Sequence, residues 1–150
     1  MTYDNFTIKA QDSIMQAQKI AEKLGQQSVD TTHLLKGIID TDENVPAFLL
    51  QKSGVNMPQL KRILDEETKR YPKVRGAEKQ YLTNDANKAL ARAKKLLKEF
   101  GDEYISVELM LLGILMGKDK GGTILQEMKV TEATMKDAIN ELRKGKKVTD

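Results

Sequence analysis

The chain has 150 residues, of which 31% are charged and 39% are hydrophobic, and its formal net charge is +3. This length fits one ordinary domain or two small ones and can bury a core without covalent staples. The absence of cysteine excludes a disulfide framework, a thiol nucleophile and a cysteine-based metal site. The N-terminus lacks the regions of a signal peptide, and no apolar run approaches the roughly 20 residues of a membrane span. We therefore expect a cytoplasmic protein.

The first half of the chain predicts four helices. Apolar residues spaced four and three apart, from Ala10 to Leu24, indicate the buried face of an amphipathic helix. Asp30 precedes the next apolar run as an N-cap, and Pro46 and Asn56 suit the starts of two further helices. The predicted helices cover residues 8–24, 31–40, 46–52 and 57–69.

A polar segment without helical periodicity follows at residues 70–81 and carries Pro72 and Gly76. We interpret it as a linker across the surface. Beyond it the helical pattern returns, and no segment shows the alternation of a strand. The predicted helices of this second half cover residues 84–100, 107–116, 122–128 and 132–144.

The second half repeats the first. Gly25 ends the first helix and Gly101 ends its counterpart 76 residues later, each in a position that favours a left-handed C-terminal residue. The apolar run that contains His33 returns with Leu109 in the same place. We therefore predict an all-α fold of two four-helix repeats, residues 6–69 and 82–144, packed as one domain over residues 1–150. Residues 145–150 would begin an exit linker.

None of the sequence motifs predicts an enzyme. The segment from Gly113 to Asp119 resembles a phosphate-binding loop but lacks its spacing and its Ser or Thr. The acidic stretch after Asp40 begins like a calcium loop but lacks the required Gly and Glu. The single histidine, His33, is interpreted as a packing or hydrogen-bonding residue. We expect no catalytic residue, no cofactor and no metal in this chain.

Two groups of basic residues have simple interpretations. Lys88, Arg92 and Lys95 lie at helical spacing, and we interpret them as the solvent face of an amphipathic helix rather than a nucleic-acid site, because no base-reading element accompanies them. Positive charge also concentrates after residue 142, in what we interpret as the solvated start of a linker. This second group comprises Arg143, Lys144, Lys146 and Lys147.

Certain stretches of sequence, together with the repeat, resemble the Clp N-terminal domain, the double-repeat module of the Clp family of ring-shaped ATP-driven unfoldases. They are Phe6-Thr7, His33-Leu34-Leu35 and the segment from Gly101 to Leu109. The resemblance spans essentially all 150 residues. The Tyr71–Val74 segment and the ending from Leu142 to Asp150 are most similar to the ClpB branch, which comprises disaggregases.

The resemblance implies a pseudo-twofold helical domain that recognises exposed hydrophobic stretches of unfolded or aggregated proteins. It also implies a parent AAA+ ATPase ring joined in cis, with ATP and Mg²⁺ bound in that parent, and a cooperating DnaK-type chaperone system. The alternative is the N-domain of a Clp protease unfoldase, which docks adaptors or reads phosphoarginine. We expect the isolated domain to be a monomer that binds neither nucleic acid nor membrane.

The resemblance also implies site residues. Those that match the family's substrate-binding positions are Thr7, Asp102 and Glu108, with Leu90 and Leu109 at apolar groove positions. The polar residues also suit helix N-termini, so a capping role stays open beside recognition. Thr32 stands where the phosphoarginine-reading branch has a glutamate, which argues against two-site reading of that ligand. The expected groove lies at or near the seam between the repeats.

Overall fold

The computed structural model describes residues 2–76, 79–144 and 148–149. Within these residues the chain forms two sets of four helices, and the all-α prediction is confirmed. Repeat one contains α1 (Ile8–Lys23), α2 (Thr31–Thr41), α3 (Val45–Lys52) and α4 (Met57–Lys69). Repeat two contains α5 (Asn84–Phe100), α6 (Val107–Leu115), α7 (Lys120–Glu127) and α8 (Glu132–Arg143). The bounds of α4 and α5 match the predicted ones, and those of the other six helices differ by one or two residues.

Several of these helices are capped at their N-termini by a side-chain oxygen. The oxygen accepts a hydrogen bond from the third backbone N–H of the helix, which has no partner within the helix. The capping residues are Thr7, Asn56, Thr83, Ser106 and Thr131. At the other ends, Gly25 and Gly101 have φ angles of 71° and 68°, in the left-handed region predicted for them.

Two short pairings join the repeats, and the sequence pattern indicated neither. Strands β1 (Ser28–Val29) and β2 (Tyr81–Leu82) pair in parallel. Phe6 forms an isolated parallel bridge with Ile105. Phe6 and Ile105 are the repeat counterparts of Leu82 and Val29, so the fold makes the same contact twice, as a pseudo-twofold arrangement requires. Strands of two residues are too short for an alternating pattern to be visible in the sequence.

The repeats share one hydrophobic core, to which every one of these helices contributes. Within each repeat the first two helices cross closely at a glycine. A Cβ atom at Gly37 would collide with the backbone oxygen of Ser13, and one at Gly113 would collide with that of Ala89. The symmetry is imperfect, because α4 packs mainly against α2 of its own repeat while α8 packs mainly against α3 of the other. Among the described residues, no helix has both the length and the hydropathy needed to cross a membrane.

Candidate functional site

A groove of about 350 Å³ lies where the two repeats meet. Its apolar lining comes from Phe6, Leu90 and Ile105, and its polar lining comes from Thr2, Asp4, Asn5 and Lys94. The Phe6–Ile105 pairing fixes its position, since the N–H of Ile105 donates to the carbonyl of Asn5 at 2.8 Å. A partly apolar groove with a few polar groups is the usual form of a site for a small apolar segment.

Thr7 is next to Phe6 at this groove, and both its side chain and its backbone form hydrogen bonds. Its Oγ1 accepts a hydrogen bond from the N–H of Ala10 at 3.1 Å and thereby caps α1. Its own N–H donates to the carbonyl of Ile105 at 2.9 Å. The next side chain, Ile8, is 77% exposed. The predicted capping role of Thr7 is therefore present in the structure.

The two apolar candidates occupy different places. Leu90 is 1% exposed and lines the groove, whereas Leu109 is 0% exposed inside α6. A ligand in the groove would contact Leu90 at its edge. Leu109 has no solvent-exposed surface in this conformation, so its side chain is part of the hydrophobic core. Sequence spacing alone does not distinguish these two situations, because both residues lie on apolar helix faces.

Asp102 and Glu108 come together, but around a residue of the same chain. Arg143 Nη1 lies 2.8 and 3.0 Å from the two carboxylate oxygens of Asp102, and its Nη2 lies 3.1 Å from Glu108 Oε2. The side chains of Asp102, Glu108 and Arg143 are 0%, 13% and 8% exposed. The Arg143 guanidinium also donates to Ser106 Oγ at 3.1 Å and lies over the Phe100 ring, 5.5 Å from its centroid. We call Asp102, Glu108 and Arg143 the arginine cluster.

The arginine cluster corrects the interpretation of Arg143 as part of a solvated linker start. The sequence signal that could have identified it is the repeat, because Arg143 is the counterpart of Thr68, which lies at the buried end of α4. Lys144, the next residue, is exposed as expected. Lys146 and Lys147 lie outside the described residues. Among the described residues that line the groove, neither Asp102 nor Glu108 is present.

His33 is buried and hydrogen-bonded at both ring nitrogens, as interpreted from the sequence. Its Nδ1 accepts from the N–H of Asp30 at 3.0 Å, so Nε2 carries the proton and donates to Gln26 Oε1 at 2.7 Å. Burial lowers the pKa of His33 to about 4, and the opposing effect of the Asp30 carboxylate is smaller. A neutral histidine with a fixed tautomer serves the fold here.

The segment predicted to run across the surface is held by Tyr71. The Tyr71 hydroxyl donates to Asp30 Oδ2 and accepts from Thr32 Oγ1, the latter at 3.0 Å. The other carboxylate oxygen of Asp30 accepts from Thr83 Oγ1 at 2.7 Å. Burial and the hydrogen bond to Asp30 raise the pKa of Tyr71. Thr32 is therefore committed to this network at the position where a phosphoarginine reader has its glutamate.

Three carboxylates converge near this network, with one oxygen from each of Asp30, Asp85 and Asp119 within 4.8 Å of the others. Each lies at a helix N-terminus, where the helix dipole stabilises negative charge. Both oxygens of Asp30 already accept hydroxyl donors, and Thr31 donates to Asp119. Asp119 makes no side-chain capping hydrogen bond, and its Oδ1 is buried without a hydrogen-bond partner among the described residues.

A profile of the Clp repeat (R) N-terminal domain matches residues 5–128. The chain belongs to this family. Its curated relatives are ClpB chaperones. The Clp repeat domain is 41% identical over 149 residues to the chaperone protein ClpB of Bacteroides thetaiotaomicron and 35% identical over 149 residues to that of Porphyromonas gingivalis. Each alignment covers 99% of this chain but only 17% of the relative's length.

Solved structures share the same fold. The Hsp104 N-terminal domain of Candida albicans superposes with a TM-score of 0.84 at 20% identity, covering 98% of this chain and 97% of that one. The N-terminal domain of ClpD from Arabidopsis thaliana gives 0.71 at 21% identity, covering 94% and 99%. The Clp repeat domain therefore has the double-repeat architecture of N-domains from several kinds of Clp protein.

Proposed function

We propose that this domain is the substrate-recognition module of a ClpB-type disaggregase and that it binds exposed hydrophobic segments of unfolded or aggregated proteins. The observation that carries the proposal is the seam groove, with Phe6, Leu90 and Ile105 on its apolar side and charged residues at its rim. An extended client segment offers alternating apolar side chains to such a groove, and its polar backbone can remain at the rim.

The groove supports weak binding. Burial of about 300 Å² of apolar surface contributes roughly 7 kcal/mol before association and ordering are subtracted. The remaining affinity corresponds to a Kd in the micromolar range or weaker. Weak binding suits a module that must release its client, and several such modules on one ring regain avidity through multivalency.

The remaining parts of the proposal rest on the resemblance and the relatives. The module would be tethered in cis to the first ring of an AAA+ ATPase, which would bind ATP and Mg²⁺ and thread the client in the cytoplasm with a DnaK-type chaperone system. Isolated, the domain would be a monomer without enzymatic activity and without affinity for nucleic acid or membrane. Thr7, Asp102, Glu108, Leu90 and Leu109 stay candidate client-binding residues, of which Leu90 alone lines the groove in this conformation.

The test is an NMR titration of the isotopically labelled chain with unfolded casein. We expect shifts at the amides of Phe6, Lys94 and Ile105. Leu90→Ala should weaken binding several-fold because Leu90 lines the groove. Leu96→Ala is the matched control, since Leu96 is equally large and buried in the same helix but is not part of the groove.

An absence of shifts around the groove would reject the site. Adaptor docking is the alternative outcome: a defined complex with one folded protein, insensitive to unfolded casein, would support it. Phosphoarginine reading at two sites has little support, because the position in repeat one holds buried Thr32 bonded to Tyr71.

A further inference from the structure

The two repeats end in the same way. Gln26, the residue after left-handed Gly25, contacts the end of α4, where its Nε2 donates to the carbonyl of Thr68 at 2.6 Å. Asp102, the residue after left-handed Gly101, contacts the end of α8, where its carboxylate accepts from Arg143. In each repeat a buried polar side chain therefore holds the C-terminal end of the last helix.

The residues after the last helix also return to the same loop in both repeats. In repeat one, the N–H of Val74 donates to the carbonyl of Gly25 at 2.8 Å. In repeat two, the N–H of Glu103 donates to the carbonyl of Val148 at 2.8 Å, and the N–H of Val148 donates to Asp102 Oδ1 at 2.9 Å. In repeat one, the docked segment belongs to the inter-repeat linker, which follows α4. In repeat two, Val148 occupies the corresponding position after α8.

The two docking sites differ in charge. Gln26 is a neutral amide, and its neighbour His33 is neutral because burial lowers its pKa. In repeat two, Asp102 stands at the position of Gln26 and Glu108 at the position of Thr32. Both are carboxylates and share one guanidinium, which leaves one negative charge in excess. A neutral, fully bonded contact offers nothing to a competing cation. In a charged contact, another cationic side chain can replace the guanidinium, provided that it donates hydrogen bonds to the same carboxylate oxygens.

We propose that the arginine cluster is a latch that holds Val148 against repeat two, and that a client's basic side chain reaches Asp102 and Glu108 only when this latch opens. The second half rests on the proposed client binding. The two events are then linked reciprocally: docking of the Val148 segment weakens client binding at the carboxylates, and client binding there releases the segment by the same factor. A recognition event would thereby change how the domain is held by the chain that follows it.

The latch is tested first without a client, by amide hydrogen exchange and backbone relaxation of the labelled chain. The Glu103 amide should exchange at least about ten-fold more slowly than in an unstructured peptide. The triple variant Asp102→Asn, Glu108→Gln, Arg143→Gln removes the charges without leaving one unpaired. It should return Glu103 and Val148 to free-chain behaviour while Val74, in the docked segment of repeat one, stays protected. Unchanged protection in this variant would overturn the latch.

If the triple variant does not fold, Val148→Pro provides the same test. It removes the N–H that donates to Asp102 and fixes the backbone φ of residue 148, but it changes no side chain of the core or of the ion pairs. Loss of protection at Glu103 with an unchanged Val74 supports the latch. Protection equal to that of the wild type overturns it.

The coupling is tested with two synthetic peptides that contain the same apolar segment. In one peptide the segment is flanked by arginines, and in the other it is flanked by glutamates. The arginine peptide should lower the protection of Glu103 at least about three-fold, and the glutamate peptide should not. If the arginine peptide shifts the groove resonances while Val148 stays docked, the coupling is wrong and the proposed function survives. If neither peptide nor casein binds, the proposed function and the coupling fail, and the variants still decide whether the latch exists.

Discussion

Arg143 determines what the two carboxylates beside it can do. Its charge and its place near the end of the sequence indicated a solvated residue, whereas its fold position is the buried end of α8. The candidate residues Asp102 and Glu108 could be selected from the sequence, because they match substrate-binding positions of the family that the chain resembles. Their partner was missed, since the contacts cross 35 and 41 residues of chain and join the end of α8 to α6 and to the loop that precedes it.

The first prediction concerns the stability contributed by Arg143. Arg143→Gln leaves a buried carboxylate at Asp102 without its partner, and such a loss typically costs about 3–5 kcal/mol. Lys144→Gln is the matched control, because Lys144 is exposed and adjacent in sequence, and we expect a change within about 0.5 kcal/mol. Urea denaturation measures both. Equal stability of the two variants would mean that the arginine cluster does not stabilise the fold.

His33 predicts a pH dependence. Its pKa is about 4 in the folded state and 6.5 in the unfolded state, so the unfolded chain binds the proton more strongly. The stability should therefore be complete above pH 6.5 and should decline by roughly 3 kcal/mol as the pH falls to 4. Because His33 is the only histidine, the decline between pH 6.5 and 5 is largely its own.

The measurement is urea denaturation at a series of pH values with wild type and His33→Gln. The variant starts from a lower stability but should show a nearly flat profile between pH 6.5 and 5. A wild-type profile that is equally flat would show that the folded histidine titrates normally.

At the scale of elements, the sequence was most informative where a property is local. Apolar spacing and caps predicted the helices to within one or two residues, because both act within a turn or two of the chain. The short pairings of β1 with β2 and of Phe6 with Ile105 could not be read this way. They involve few residues, and their partners lie in the other repeat.

The helix crossings give the third prediction. Intrinsic helix propensity alone predicts that Gly37→Ala and Gly113→Ala stabilise their helices by about 1 kcal/mol. The structure predicts the opposite sign, because the new Cβ atoms would meet the backbones of α1 and α5. Overpacking of this kind costs roughly 3 kcal/mol when backbone must move. We therefore expect both variants to be clearly destabilised, and to a similar extent.

Gly54→Ala is the control for these variants. Gly54 has a φ of 86° and open space around it, so alanine there meets only the left-handed strain of about 1–2 kcal/mol. Thermal or urea denaturation orders the three variants. If either helix-crossing variant is as stable as the wild type, the close approach of the two helices is wrong at that crossing.

At the scale of the whole molecule, the sequence predicted the repeat but not the different packing of α4 and α8. A nearly constant offset between matching residues predicted two equivalent units with a seam, and the duplicated pairing agrees with it. The different packing of α4 and α8 follows from side chains that the offset does not constrain. The seam groove is a consequence of both, since its lining comes from the N-terminal segment of repeat one and from α5 and the α5–α6 loop of repeat two.

The shared core leads to the last prediction, that both repeats unfold in a single transition. A chain of residues 1–76 would leave the faces of α2 and α3 that pack on repeat two exposed to water, so neither half should fold alone. Gly37→Ala in repeat one should lower the urea midpoint measured at α5 resonances as much as at α1 resonances, and Gly113→Ala should do the same in reverse. Separate midpoints for the two repeats would contradict this and would make each repeat a domain of its own. Cooperative unfolding matters for the groove, because a seam between two independently opening halves could not hold a client segment against a fixed apolar surface.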